Sequence, residues 1–113
     1  MYKRQRWYSH LYVGEKAAKK RFALIQKIRR GEKDWSVYVI IPALGGNNIL
    51  DICSAAEFSR PHYQERDSLV LGIAAGYWEA LQVAGRIVDE MYRATGGFSL
   101  EQFLEPDGGE RWE

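Results

Sequence analysis

The chain has 113 residues, 46% hydrophobic, 27% charged and 13% aromatic, with a single cysteine and a formal net charge of +1. These values fit one folded domain and exclude a disordered chain, a disulfide framework and a cysteine-based zinc site. No apolar run approaches the roughly 20 residues that span a bilayer, and no apolar segment follows the basic N-terminus as in a secretory signal, so a cytoplasmic protein without a membrane partner is expected.

Residues 1–6 form a basic arm carrying Lys3, Arg4 and Arg6. Residues 7–13 are aromatic and β-prone and predict a short strand. Gly14 then opens a helix over residues 15–30. On a 100° wheel Ala17, Ala18, Phe22, Leu24, Ile25 and Ile28 share one arc, and Lys16, Lys19, Lys20, Lys27 and Arg30 share the opposite one. Gly31 is a natural C-terminal stop.

Residues 35–41 (WSVYVII) predict a strand covered on at least one face. Pro42 ends it, and Gly45, Gly46, Asn47 and Asn48 supply turn chemistry. Residues 48–53 (NILDIC) then return as the second strand of a hairpin, with Leu50 and Ile52 on one face and Ile49, Asp51 and Cys53 on the other. Ser54 and Glu57 have capping-box spacing and predict a short helix limited or kinked by Pro61. Residues 62–68 are polar and irregular, and 69–74 (LVLGIA) predict a third strong strand.

The last long helix has the clearest periodicity. Tyr77, Ala80, Leu81, Ala84, Ile87, Val88, Met91 and Tyr92 recur at helical spacing, whereas Glu79, Gln82, Arg86, Asp89, Glu90 and Arg93 are expected to face away. Gly96 and Gly97 end it. Ser99 and Gln102 form a second capping box for a one-turn helix. The order (β)-α-β-β-(short α)-β-α predicts an α+β two-layer sandwich over residues 1–104, with a small, mainly antiparallel sheet and helices on one face. Residues 105–113 read as a flexible acidic tail.

Function is signalled most strongly by charge. Residues 1–33 hold eleven Lys/Arg against two Glu, a balance of +9, and residues 34–113 hold five Arg against thirteen Asp/Glu, a balance of −8. In a compact domain the halves can neutralise each other; if they stay apart, the stripe Lys16, Lys19, Lys20, Lys27 and Arg30 is an anion-binding face. Together with the basic N-terminal arm, and with Trp7 and Tyr8 as stacking groups, such a face suits a small non-enzymatic interaction module for nucleic acid or an acidic protein, with no cofactor.

Other features carry weaker chemistry. His62, Glu65 and Asp67 lack a recognised metal-ligand spacing, so no metal site is expected. The stretch 45–48 lies in a strand-to-strand turn and is no P-loop, and 72–76 lacks the glycine pattern of a dinucleotide fingerprint. Two free sheet edges and many aromatics allow a structural homo-oligomer, a homodimer in the simplest case.

Three stretches resemble known groups. Without its first strand, the element order resembles double-stranded-RNA-binding domains; with it, a ferredoxin-like arrangement. The former family carries lysines at the start of its final helix, where this chain has Gly76, Tyr77, Trp78, Glu79, Ala80 and Leu81, which speaks against duplex RNA recognition. The run Asp51, Ile52, Cys53, Ser54, Ala55, Ala56 resembles the Asp-Ile-x-Cys-Ala-Ala stretch of ribosomal-processing cysteine proteases. That resemblance implies an alternative function, a cysteine-dependent hydrolase using Cys53. The upstream Gly-His pair of that family has no counterpart here, leaving His62 as the candidate base. Finally, residues 8–14, 69–74, 87–92 and 95–97 resemble a group of small bacterial α/β proteins that carry no assigned activity, which implies a fold and no mechanism.

Overall fold

The structure is a computed structural model. It describes residues 6–43, 48–64, 68–104 and 110–112, with backbone alone for 64 and 110–112. The elements in chain order are β1 (Arg6–Val13), α1 (Glu15–Ala18), α2 (Arg21–Arg29), β2 (Val37–Pro42), β3 (Leu50–Ser54), α3 (Ala55–Phe58), α4 (Pro61–Gln64), β4 (Leu69–Ala75), α5 (Tyr77–Thr95), α6 (Leu100–Leu104) and β5 (Glu110–Trp112).

The fold is an α+β sandwich around one mixed sheet of order β3-β2-β4-β1-β5. The pairs β2–β3, β2–β4 and β1–β5 are antiparallel, and β1–β4 is parallel. The mainly antiparallel sheet thus holds one parallel pair, irregular between Trp7 and Tyr12. Because β4 lies between β1 and β2, neither the three-strand meander of an RNA-binding-like order nor a ferredoxin-like sheet forms. Within the span read as a tail, β5 pairs with β1; residues 105–109 and 113 lie outside the described residues.

Two separate apolar clusters correct the expectation that all helices share one face. One joins Ala17, Leu24, Ile28 and Phe58 from α1, α2 and α3 to Val37, Val39, Ile41, Val70 and Ile73. The other joins Ala80, Val83 and Ile87 from α5 to Ile40, Leu69, Leu71 and Ala74. The helices therefore cover both faces. The reason lies in β2 and β4, whose side chains are apolar at both alternating positions and lose water on both sides.

The first helix divides in two. Lys19 N–H donates to the Lys16 carbonyl (3.3 Å) and Lys20 N–H to that of Ala17 (2.9 Å), closures of the tighter three-residue type. Lys20 leaves the helical region (φ −128°, ψ 27°) before α2 begins. The restart turns Leu24 and Ile28 to the sheet and leaves Phe22 exposed rather than buried with them.

Other local signals act as read. Ser54 Oγ accepts the Glu57 N–H (3.1 Å) at the start of α3, and Ser99 Oγ accepts that of Gln102 (3.2 Å) before α6. Pro61 opens α4 rather than kinking α3. Gly96 ends α5 at φ 76°, in the left-handed region, with its N–H on the Tyr92 carbonyl (2.7 Å). The turn predicted at 45–48 falls mostly outside the described residues; beside it, Ala43 N–H donates to the Ile49 carbonyl (3.0 Å).

Candidate functional site

The parallel strands β1 and β4 run side by side and send their next helices to opposite faces: α1 into one core, α5 into the other. In open sheets such a divergence marks a crevice beyond the carboxyl ends of the strands; here Glu79 from the first turn of α5 fills it. One oxygen, Oε1, accepts the N–H groups of Ala17 (3.1 Å) and Ala75 (2.8 Å), and the other accepts that of Lys16 (2.5 Å). Burial raises the carboxyl's pKa, but the three donors and the Lys16 charge outweigh it, and the net shift is below the ordinary 4.5.

Beside this carboxylate lies a half-open groove of about 530 Å³. Lys16, Lys19, Lys20 and Lys27 line it together with Asp34, Ser36 and the apolar Leu24, Val37 and Ala75. Four of the five cations expected to act together are thus assembled. Lys27 Nζ binds Asp34 Oδ2 at 2.8 Å, and Arg30, the fifth, pairs with Glu32 at 2.7 Å. The Lys19 and Lys20 side chains form no ion pair among the described residues. Lys16 is attracted by Glu79, whose oxygens bind its backbone instead.

Asp34 connects α2 to β2. Besides Lys27, it accepts the N–H (2.8 Å) and hydroxyl (2.6 Å) of Ser36. These donors pull its pKa from 3.8 down to about 2, and the same contact raises that of Lys27. The folded Asp34 value lies below the unfolded one, so its contribution is complete above about pH 4 and is lost as the pH falls toward 2. Thermal melts should therefore show a decline over this window that is shallower in Asp34→Asn. The side chains are 38% and 20% exposed, so solvent screening keeps the difference small.

The remaining candidates are dispersed. Trp7 and Tyr8 are buried in the two cores on opposite sides of the sheet, not on the cationic face. Cys53 is 3% exposed in the core that holds Val39, its partner across the β2–β3 ladder. His62 lies on exposed α4 with its ring edge-on to Tyr63 (5.4 Å). Of His62, Glu65 and Asp67, the latter two lie outside the described residues. Among the described residues no three His, Cys, Asp or Glu side chains group as metal ligands, and no helix is long and apolar enough to cross a membrane.

Glu79 looks solvent-facing by helical periodicity, and only its position opposite the α1 N-terminus makes it internal. The strand expected from Trp35 begins at Val37, and Trp35 is exposed, as is Tyr77, which helical spacing places in the apolar arc. Comparison with protein-family models, curated proteins and solved structures finds no match.

Proposed function

We propose that this protein is a small non-enzymatic interaction module that binds an anionic partner, nucleic acid in preference to an acidic protein, through the groove between α1–α2 and the β2–β4 strand ends. The observation that carries this reading is the state of the stripe: Lys19 and Lys20 bear no ion pair among the described residues, and Lys16 adds a third ammonium to the same groove. Cations that serve only solubility can be scattered; these converge on one concavity, where low-dielectric walls strengthen their common field. The cysteine-hydrolase alternative has less support, since the Cys53 thiol is buried.

The test is binding of a labelled oligonucleotide by fluorescence anisotropy across a salt series. Three phosphate contacts predict a log–log salt slope of about −2 for a single strand. The triple variant Lys16→Glu, Lys19→Glu, Lys20→Glu is expected to weaken binding at least about tenfold and remove the slope. Binding that ignores salt, or survives the triple reversal unchanged, rules this reading out.

A further inference from the structure

We infer that the partner is a single-stranded nucleic acid, whose bases stack on aromatic side chains exposed at the end of the sheet where the groove lies. This inference rests on the anion-binding reading above, but a separate observation carries it. Val37 faces Ala75 across the β2–β4 ladder, and Gly76 N–H donates to the Ser36 carbonyl at 2.8 Å. Trp35 directly precedes the groove residue Ser36, and Tyr77, the first residue of α5, directly follows the groove residue Gly76. Trp35 is 61%, Tyr77 52% and Trp78 79% exposed. The Tyr77 ring is braced edge-on by Tyr38 (5.8 Å) and Trp78 (6.5 Å).

Large aromatics left exposed next to groove residues forgo substantial apolar burial, as side chains of a binding surface do. Together with lysines they form the pairing that single strands use: cations follow the phosphates and ring faces take the bases. The groove itself combines the apolar Leu24, Val37 and Ala75 with four lysines in its lining. A duplex keeps its bases stacked on one another and leaves the rings unused. An acidic protein engages the lysines alone. An anionic membrane is served by a protruding apolar face, whereas here the lysines line a concavity.

The test uses the full chain, with anisotropy of a labelled twelve-nucleotide dT strand. Competitors are a hairpin duplex of the same base count, thymidine monophosphate, polyglutamate and phosphatidylserine vesicles. The strand should bind at least about tenfold tighter than the duplex, and the mononucleotide should compete only weakly. Trp35→Ala and Trp78→Ala should each weaken strand binding by about 5- to 100-fold, without changing the salt slope or the affinity for polyglutamate. Circular dichroism should show both variants folded, since neither side chain is buried. Equal affinity for strand and duplex, or unaltered binding by both tryptophan variants, overturns the inference while leaving the anion-binding reading standing. Tighter binding to the vesicles or to polyglutamate overturns it as well. Failure of every polyanion to bind in a salt-dependent way removes both.

Discussion

Glu79→Ala is expected to destabilise the fold by about 3–5 kcal/mol in chemical denaturation. The carboxylate is 7% exposed and accepts three backbone N–H groups from two separate segments, the start of α1 and the end of β4. Its removal leaves those donors without an acceptor, at about 1–3 kcal/mol for each that water does not reach. Glu79→Gln keeps one acceptor oxygen but turns an amide N–H₂ toward a backbone N–H, so about 1–3 kcal/mol is expected. The folded carboxyl has a lowered pKa, so its contribution is complete above about pH 4.5 and is lost as the pH falls through the folded value. The two variants should therefore lose less stability than the parent on acidification.

Gly14 supplies an independent check on the same contact. Its backbone, at φ −65° and ψ 159°, is one that any residue adopts. Glycine is required there for space alone, because a Cβ would overlap Cγ, Cδ and Oε1 of Glu79. Gly14→Ala must then displace the carboxylate and should cost about 2–4 kcal/mol, while the same change in the Glu79→Ala background should cost under about 1 kcal/mol. Equal penalties in both backgrounds would mean that Gly14 and Glu79 are not coupled, and the account of the crevice would fail.

The division between what was legible in the sequence and what was not follows from the range of each signal. Elements with a local cause were readable: the Ser54 and Ser99 caps, the Gly96 stop, the β2–β3 hairpin and the alternation that puts Leu50 and Ile52 opposite Cys53. That Lys16, Lys19, Lys20 and Lys27 line one groove follows from their closeness in sequence along α1, α2 and the turn between them. Strand order was not, because no local signal records that β4 inserts between β1 and β2. The two-sided cover of the sheet had a usable trace: 69–74 is apolar at every position except Gly72, as a strand buried on both faces must be. Trp7 and Tyr8 failed as stacking groups because adjacent residues of a strand point to opposite faces, and both faces proved to be interior.

The helix α5 shows how a correct period can carry an incorrect phase, and it yields the second large prediction. Its predicted apolar arc runs over Tyr77, Ala80, Leu81, Ala84, Ile87, Val88, Met91 and Tyr92. Of these Ala80, Ile87 and Met91 are buried, and the other buried positions are Val83 and Glu79, so the arc is turned toward one of its edges. The helix is rotated because its first turn is held by the Glu79 hydrogen bonds and its middle by contact with the sheet. There a Cβ on Gly72 would come within 3.0 Å of Val83 Cγ1, so the valine packs directly on strand backbone. Ile87 is completely buried between α5 and the sheet. Ile87→Ala is therefore expected to cost about 2–5 kcal/mol and Val83→Ala about 2 kcal/mol from its lost methyl groups. Leu81 is 39% exposed against 2% for Val83, and Leu81→Ala should cost under about 1 kcal/mol despite the larger side chain removed. Urea denaturation of the three variants decides between the two phases: a Leu81→Ala penalty exceeding that of Val83→Ala would return the helix to the orientation its periodicity implies and withdraw Glu79 from the crevice.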